Sequence, residues 1–138
     1  MKKEIIYLNI TSFPLAIERV IDLSLRERPL AIAPLSSDRA VLWEVSPEAK
    51  EFGVCKGMPS AQAKKLCKDL KIIAPRPDLY RRVNQQIEEK IISKMTPVYE
   101  IEKPGHIYLD MTGSQRLLGQ ISDIASSLQK DIEKSFRL

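Results

Sequence analysis

The chain has 138 residues, 43% apolar and 29% charged, with a formal net charge of +4, which suits one compact soluble domain or two small lobes. No apolar run approaches the ~20 residues of a membrane-spanning helix, and the apolar stretch after Met1-Lys-Lys-Glu is too short for a signal peptide. Cys55 and Cys67 stand twelve residues apart with no CxxC motif, so reduced structural thiols are expected rather than a disulfide scaffold.

Glu4 to Asn9 is rich in β-formers and reads as a buried strand. Ser12 is placed to cap a helix with Pro14 in its first turn, and Leu15, Val20, Ile21 and Leu25 give it an apolar stripe. Leu30 to Leu35 and Ala40 to Val45 are short strand candidates joined by the turn residues Ser36-Ser37-Asp38. Ser46-Pro47-Glu48 starts a short helix that Phe52-Gly53 ends. Ser60 to Leu70 is the next expected helix, with Ala63, Leu66, Cys67 and Leu70 inward, and Leu70 to Ala74 is a brief strand. Trp43 reads as a packing residue.

Pro75-Arg76-Pro77 punctuates the chain. Asp78 then caps a long helix ending near Met95, with Leu79, Val83, Ile87, Ile91 and Met95 facing a core and Arg81, Arg82, Gln85, Gln86, Glu88 and Glu89 facing out. Val98 to Glu102 and Ile107 to Asp110 form a hairpin through the Pro104-Gly105 turn, followed by a Thr112-Gly113-Ser114 break. Gln120 to Phe136 gives a last helix on Ile121, Ile124, Leu128 and Ile132. The expected class is α+β: an incomplete ferredoxin-like βαββα motif, residues 1–10 and 77–138, with a small α/β lobe, residues 11–76, inserted after its first strand.

The positive excess sits in residues 51–100, with ten bases and six acids; Lys56 to Arg82 alone holds eight bases against two acids. Lys56, Lys64, Lys65, Lys68, Arg81 and Arg82 are the candidates for contact with a phosphate backbone, against the plainer reading of solvated helix faces.

Tyr108-Leu-Asp-Met-Thr-Gly-Ser114, Tyr7-Leu-Asn-Ile-Thr-Ser-Phe13, Glu48-Ala-Lys-Glu-Phe-Gly-Val54, Gly57-Met-Pro59 with Ala61-Gln-Ala-Lys-Lys-Leu-Cys67, and Pro75-Arg-Pro-Asp-Leu-Tyr-Arg81 occur in the order of the words of Y-family (translesion) DNA polymerases. The chain resembles their palm and fingers region over nearly its whole length. The resemblance makes residues 1–10 and 77–138 a palm cut before its last strand and residues 11–76 a fingers lobe. It places the chain's end within the palm, so the sequence reads as a truncated piece, and it implies a cytoplasmic, nucleoid-associated setting.

Members of that family hold two magnesium ions with three carboxylates, and phosphoryl transfer depends on those ions. The three positions fall here on Asn9, Gly105 and His106. An amide is a weaker ligand than a carboxylate, imidazole suits magnesium poorly, and glycine offers nothing. The triphosphate-contact positions fall on Pro47 and Lys50, and the steric gate against ribonucleotides on Pro14. His106 alone would read as a surface residue beside a turn.

The pattern resembles the catalytically inactive, ImuB-like subunits of the bacterial mutasome. The resemblance implies no catalysis, no bound magnesium, primer-template or damaged DNA as partner, and contacts with a polymerase, a sliding clamp and a recombinase-related protein. The alternatives are an active polymerase using Glu100 or Glu102 as substitute acids, and a ferredoxin-like protein-interaction module. An unpaired edge on Glu4 to Asn9 is expected either to self-associate or to be covered by the chain's own C-terminal residues.

Overall fold

The computed structural model describes residues 3–113 and 119–138; the expected Ser114 end of the break after the hairpin lies outside the described residues. The chain divides into two compact units, Met1–Thr11 with Asp78–Leu138, and Ser12–Pro77.

The first unit carries a three-stranded antiparallel sheet of β1 (Ile5–Asn9), β5 (Tyr99–Lys103) and β6 (His106–Asp110), in the order β1-β6-β5. Alternation buries Ile6, Ile107 and Leu109 and leaves Tyr7 and Tyr108 on the solvent face. Helix α4 (Pro77–Ile87) runs through a π-helical segment, Glu88–Ile92, into a final turn, Ser93–Met95. The wider turn lets the consecutive Ile91 and Ile92 both be buried, where a uniform four-residue stripe gives only Ile91. Asp78 lies inside this helix rather than capping it, and Glu88 is half-buried rather than outward. The last helix, α5 (Ile121–Phe136), buries Ile124, Leu128 and Ile132 as its periodicity requires.

The second unit holds α1 (Phe13–Ile21), β2 (Leu30–Ile32), β3 (Glu44–Val45), α2 (Pro47–Lys50), α3 (Ser60–Leu66) and β4 (Lys71–Ile73). Its sheet runs β3-β2-β4, with β2 antiparallel to β3 and parallel to β4. Ala31, Ala33, Leu42, Val45, Val54, Ala63 and Cys67 form its core. Ser46 Oγ accepts from Ala49 N–H, capping α2, and from Leu30 N–H at 2.9 Å, tying that cap to the sheet; such caps are worth about 1 kcal/mol. Both cysteines are free thiols, Cys67 buried and Cys55 exposed.

Several local expectations give way here. Ser12 takes a left-handed conformation, φ 49, and makes no side-chain cap. The buried stripe of α1 is Phe13, Leu15, Ile17 and Glu18, while Ile21 is exposed. Glu18 enters because Arg76, 58 residues later, bonds its carboxylate from the surface, removing most of the cost of burying a charge. Helix α3 ends at Leu66, which is exposed, and Trp43 is 48% exposed rather than packed. The expected strand Ala40 to Val45 shrinks to β3 plus a single bridge between Val41 and Pro59.

Candidate functional site

The β5–β6 hairpin turns through Pro104 and Gly105. Gly105 takes φ 84, the conformation of the third residue in a type II turn, which glycine adopts without strain. Its buried N–H donates to Asn84 Oδ1 at 2.9 Å, and its carbonyl accepts from Ile10 N–H at 2.8 Å. The turn is therefore fastened to α4 on one side and to the end of β1 on the other.

The bonds Ile10 N–H to Gly105 and Met111 N–H to Glu4 set the phase of the β1–β6 ladder. Residues 4, 6, 8 and 10 bond towards β6. Tyr7 with Tyr108, and Asn9 with His106, are then the facing pairs between those bonds, where side chains stand closest. Asn9, Gly105 and His106 meet at one strand end. Their donors are an amide, an imidazole and no side chain, a set that does not fit magnesium, which takes hard oxygen ligands and few nitrogens. Among the described residues, no three His, Cys, Asp or Glu side chains converge to hold a metal ion.

The sheet face beside them carries a network that strand patterning alone does not reveal. Tyr7 Oη donates to Glu102 Oε2 at 2.9 Å and lies 3.0 Å from His106 Nδ1. A tyrosine hydroxyl has one proton, so His106 Nδ1 is the donor in the second bond. The Tyr7 and Tyr108 rings stack with centroids 4.4 Å apart. The Glu102 hydrogen bond is the main cause holding the Tyr7 hydroxyl above its ordinary pKa of 10.0. Of the candidate substitute acids, Glu100 stands opposite Tyr108, and Glu102 is engaged by the Tyr7 hydroxyl. Asp110 is held below the usual carboxylate range by hydrogen bonds from Thr112. The signal for this network was the alternation of Ile5, Tyr7 and Asn9 against Ile6 and Leu8; the missing information was the register.

In the second unit, Pro14 is half-buried in the first turn of α1, and Pro47 and Lys50 are the first and last residues of α2. Burial pushes the Glu48 carboxyl up, but the bond from Arg19 Nη2 at 3.0 Å and its charge outweigh that and hold it below the usual range. Of the basic candidates, Lys64, Lys65 and Lys68 are exposed. Lys56 Nζ lies 3.2 Å from Glu44, and Arg81 bonds Asp78 one turn back in α4. Arg82 is exposed; it and Arg81 belong to the first unit, the lysines to the second.

An α+β chain whose βαββα sheet is interrupted after its first strand by a small α/β unit has the fold of the palm and fingers region of Y-family DNA polymerases. The crystal structure of DinB from Sulfolobus solfataricus matches with a TM-score of 0.85 at 20% identity, over 96% of this chain and 39% of that one. A post-insertion binary complex of Dbh DNA polymerase matches equally, over the same shares. DNA polymerase IV of Vibrio vulnificus strain YJ016 is 33% identical over 136 residues, 99% of this chain and 38% of that protein. DNA polymerase IV of Ralstonia nicotianae is 36% identical over 132 residues, 96% of this chain and 37% of that protein. The impB/mucB/samB family matches residues 8–138, and the chain belongs to that family. It spans under two-fifths of the length of these polymerase relatives.

Proposed function

We propose that this chain is a non-catalytic polymerase-like protein of DNA repair and translesion synthesis, acting by binding DNA and partner proteins. The observation that carries the reading is the pairing of Asn9 with His106 beside Gly105. Asn9, Gly105 and His106, which the resemblance puts at the family's three acid positions, share one strand end and offer no carboxylate. In this reading the exposed Lys64, Lys65 and Lys68, with Lys50 and Arg82, meet phosphates; such contacts carry affinity but no sequence information. The polymerase, clamp and recombinase-related contacts implied by the ImuB-like pattern belong to the same proposal.

The test uses manganese as a paramagnetic probe for the magnesium site. Electron paramagnetic resonance on the protein should show no bound Mn²⁺ beyond weak surface association, and Asn9→Asp with His106→Glu should create a bound signal. A pair of coupled ions in the unaltered protein, or nucleotide incorporation on a primer-template, would overturn the reading in favour of an active polymerase.

A further inference from the structure

We propose that Tyr7 and Tyr108 form an oxidative cross-linking site, at which a peroxide-consuming peroxidase joins the two rings as dityrosine and staples β1 to β6. This modification goes beyond the non-catalytic reading and does not depend on it.

The two rings stack face to face, with centroids 4.4 Å apart and planes 20° apart, on a facing pair between ladder bonds. Both are open to an oxidant, at 44% and 40% exposure. The chain's other two tyrosines are placed differently. Tyr80 is buried, and Tyr99 is half-buried on β5 opposite Leu109. The network on Tyr7 supplies a base as well as a neighbour. A phenol loses an electron readily when its proton can leave at the same time, because the protonated radical is a very strong acid. Tyr7 Oη donates to Glu102 Oε2 at 2.9 Å, so a carboxylate is in place to take that proton. The His106 Nδ1 donor, 3.0 Å away, then bonds the phenoxyl oxygen.

Each tyrosine gives up one electron and its hydroxyl proton. The two phenoxyl radicals pair their electrons in a carbon–carbon bond between ring carbons next to the hydroxyls. The hydrogen on each joined carbon then moves to oxygen, restoring both phenols. Two hydrogen atoms leave in all, and one hydrogen peroxide is reduced to two waters. The rings swing from face to face to edge to edge as the bond forms, by rotation about side-chain bonds that their exposure leaves room for. Tyr7 precedes the second unit in the chain and Tyr108 follows it, so the new bond closes a covalent loop that contains Ser12–Pro77. A cross-link over so long a loop removes freedom from the unfolded chain. Oxidation therefore strengthens the β1–β6 pairing that sets Asn9 beside His106.

The test treats the full chain with a haem peroxidase and limiting hydrogen peroxide, then resolves it on a denaturing gel. Dityrosine fluorescence should appear in the monomer band. Mass spectrometry of that band after digestion should find the Tyr7 and Tyr108 peptides joined, lighter than their sum by two hydrogen atoms. Tyr7→Phe and Tyr108→Phe each keep a ring to stack but remove a phenol, and each should abolish the product. Tyr99→Phe should leave it in place. Glu102→Gln keeps a hydrogen-bond acceptor but is a poor base, and should lower the yield severalfold. The cross-linked chain should also unfold at a higher urea concentration than the untreated one. The proposal is overturned if the fluorescence lies only in a dimer band, if it survives Tyr7→Phe in the monomer, if Glu102→Gln leaves the yield unchanged, or if the urea midpoint does not rise.

Discussion

The Asn84 side chain, buried in α4, accepts the buried N–H of Gly105 at 2.9 Å and so anchors the hairpin turn to the helix. Asn84→Ala leaves that donor without its partner, and an orphaned buried N–H costs about 1–3 kcal/mol. Urea denaturation should show the midpoint falling with an unchanged slope. An unaltered midpoint would show that the turn holds itself.

Gly105 itself is the second point to probe. Gly105→Ala forces a Cβ into φ 84, at a cost of roughly 1–2 kcal/mol. Gly113, exposed and at φ 82, provides a comparison lacking the Asn84 and Ile10 bonds. Gly105→Ala should also broaden the His106 and Asn9 amide signals, because the turn sets their pairing.

Tyr7 gives a pH signature. Its folded-state pKa is raised above 10.0, chiefly by the Glu102 hydrogen bond. A raised value for this neutral acid means its contribution to stability is fully present below pH 10 and is lost as pH rises through the folded value. Ultraviolet difference titration of the protein against Tyr7→Phe isolates this hydroxyl among four tyrosines. Glu102→Gln should return it towards its ordinary value. Asp110 has the opposite sign: its lowered pKa stabilises above the ordinary 3.8 and the contribution fades as pH falls through the folded value.

Phosphate contact by α3 predicts a salt effect. Charge reversal at Lys64 and Lys65 together should lower the salt slope of DNA binding by roughly one to two units. Fluorescence anisotropy across a series of salt concentrations measures it. An unchanged slope returns both lysines to an ordinary solvated helix face.

The remaining prediction concerns the free side of β1. With residues 4, 6, 8 and 10 bonded towards β6, the N–H and C=O groups of Ile5, Tyr7 and Asn9 point to the open edge. Beside that edge lies a groove of about 460 Å³, lined on its other side by Leu128, Gln129, Ile132 and Leu138. Such an edge is a template for another strand. This chain should associate with itself in a concentration-dependent way on sedimentation, and Ile5→Pro, which removes an outward donor but no β6 bond, should abolish it. A monomer at high concentration would instead favour cover by the chain's own C-terminal residues, of which Leu138 lines the groove.

What the sequence determined by itself is what neighbours in the chain decide. Pro104-Gly105 fixes a turn through φ alone, Ser46 before Pro47 caps α2, and Ile124, Leu128 and Ile132 recur with the helical period whatever they pack on. The identities Asn9, Gly105 and His106 likewise carry their ligand chemistry without a fold. The tertiary structure decided whatever depends on residues far apart meeting. Glu18 is buried only because Arg76 reaches it, and Trp43 and Leu66 are left outside a core that their hydrophobicity would suit. Tyr7 meets Glu102, 95 residues away, only because the β1–β6 register sets it opposite Tyr108. A slip of one residue turns every side chain of a strand to the other face, so the same β1 could as well have shown Ile6 and Leu8 to water. The buried contacts of the assembled sheet exclude that choice, and no short stretch of the chain contains them.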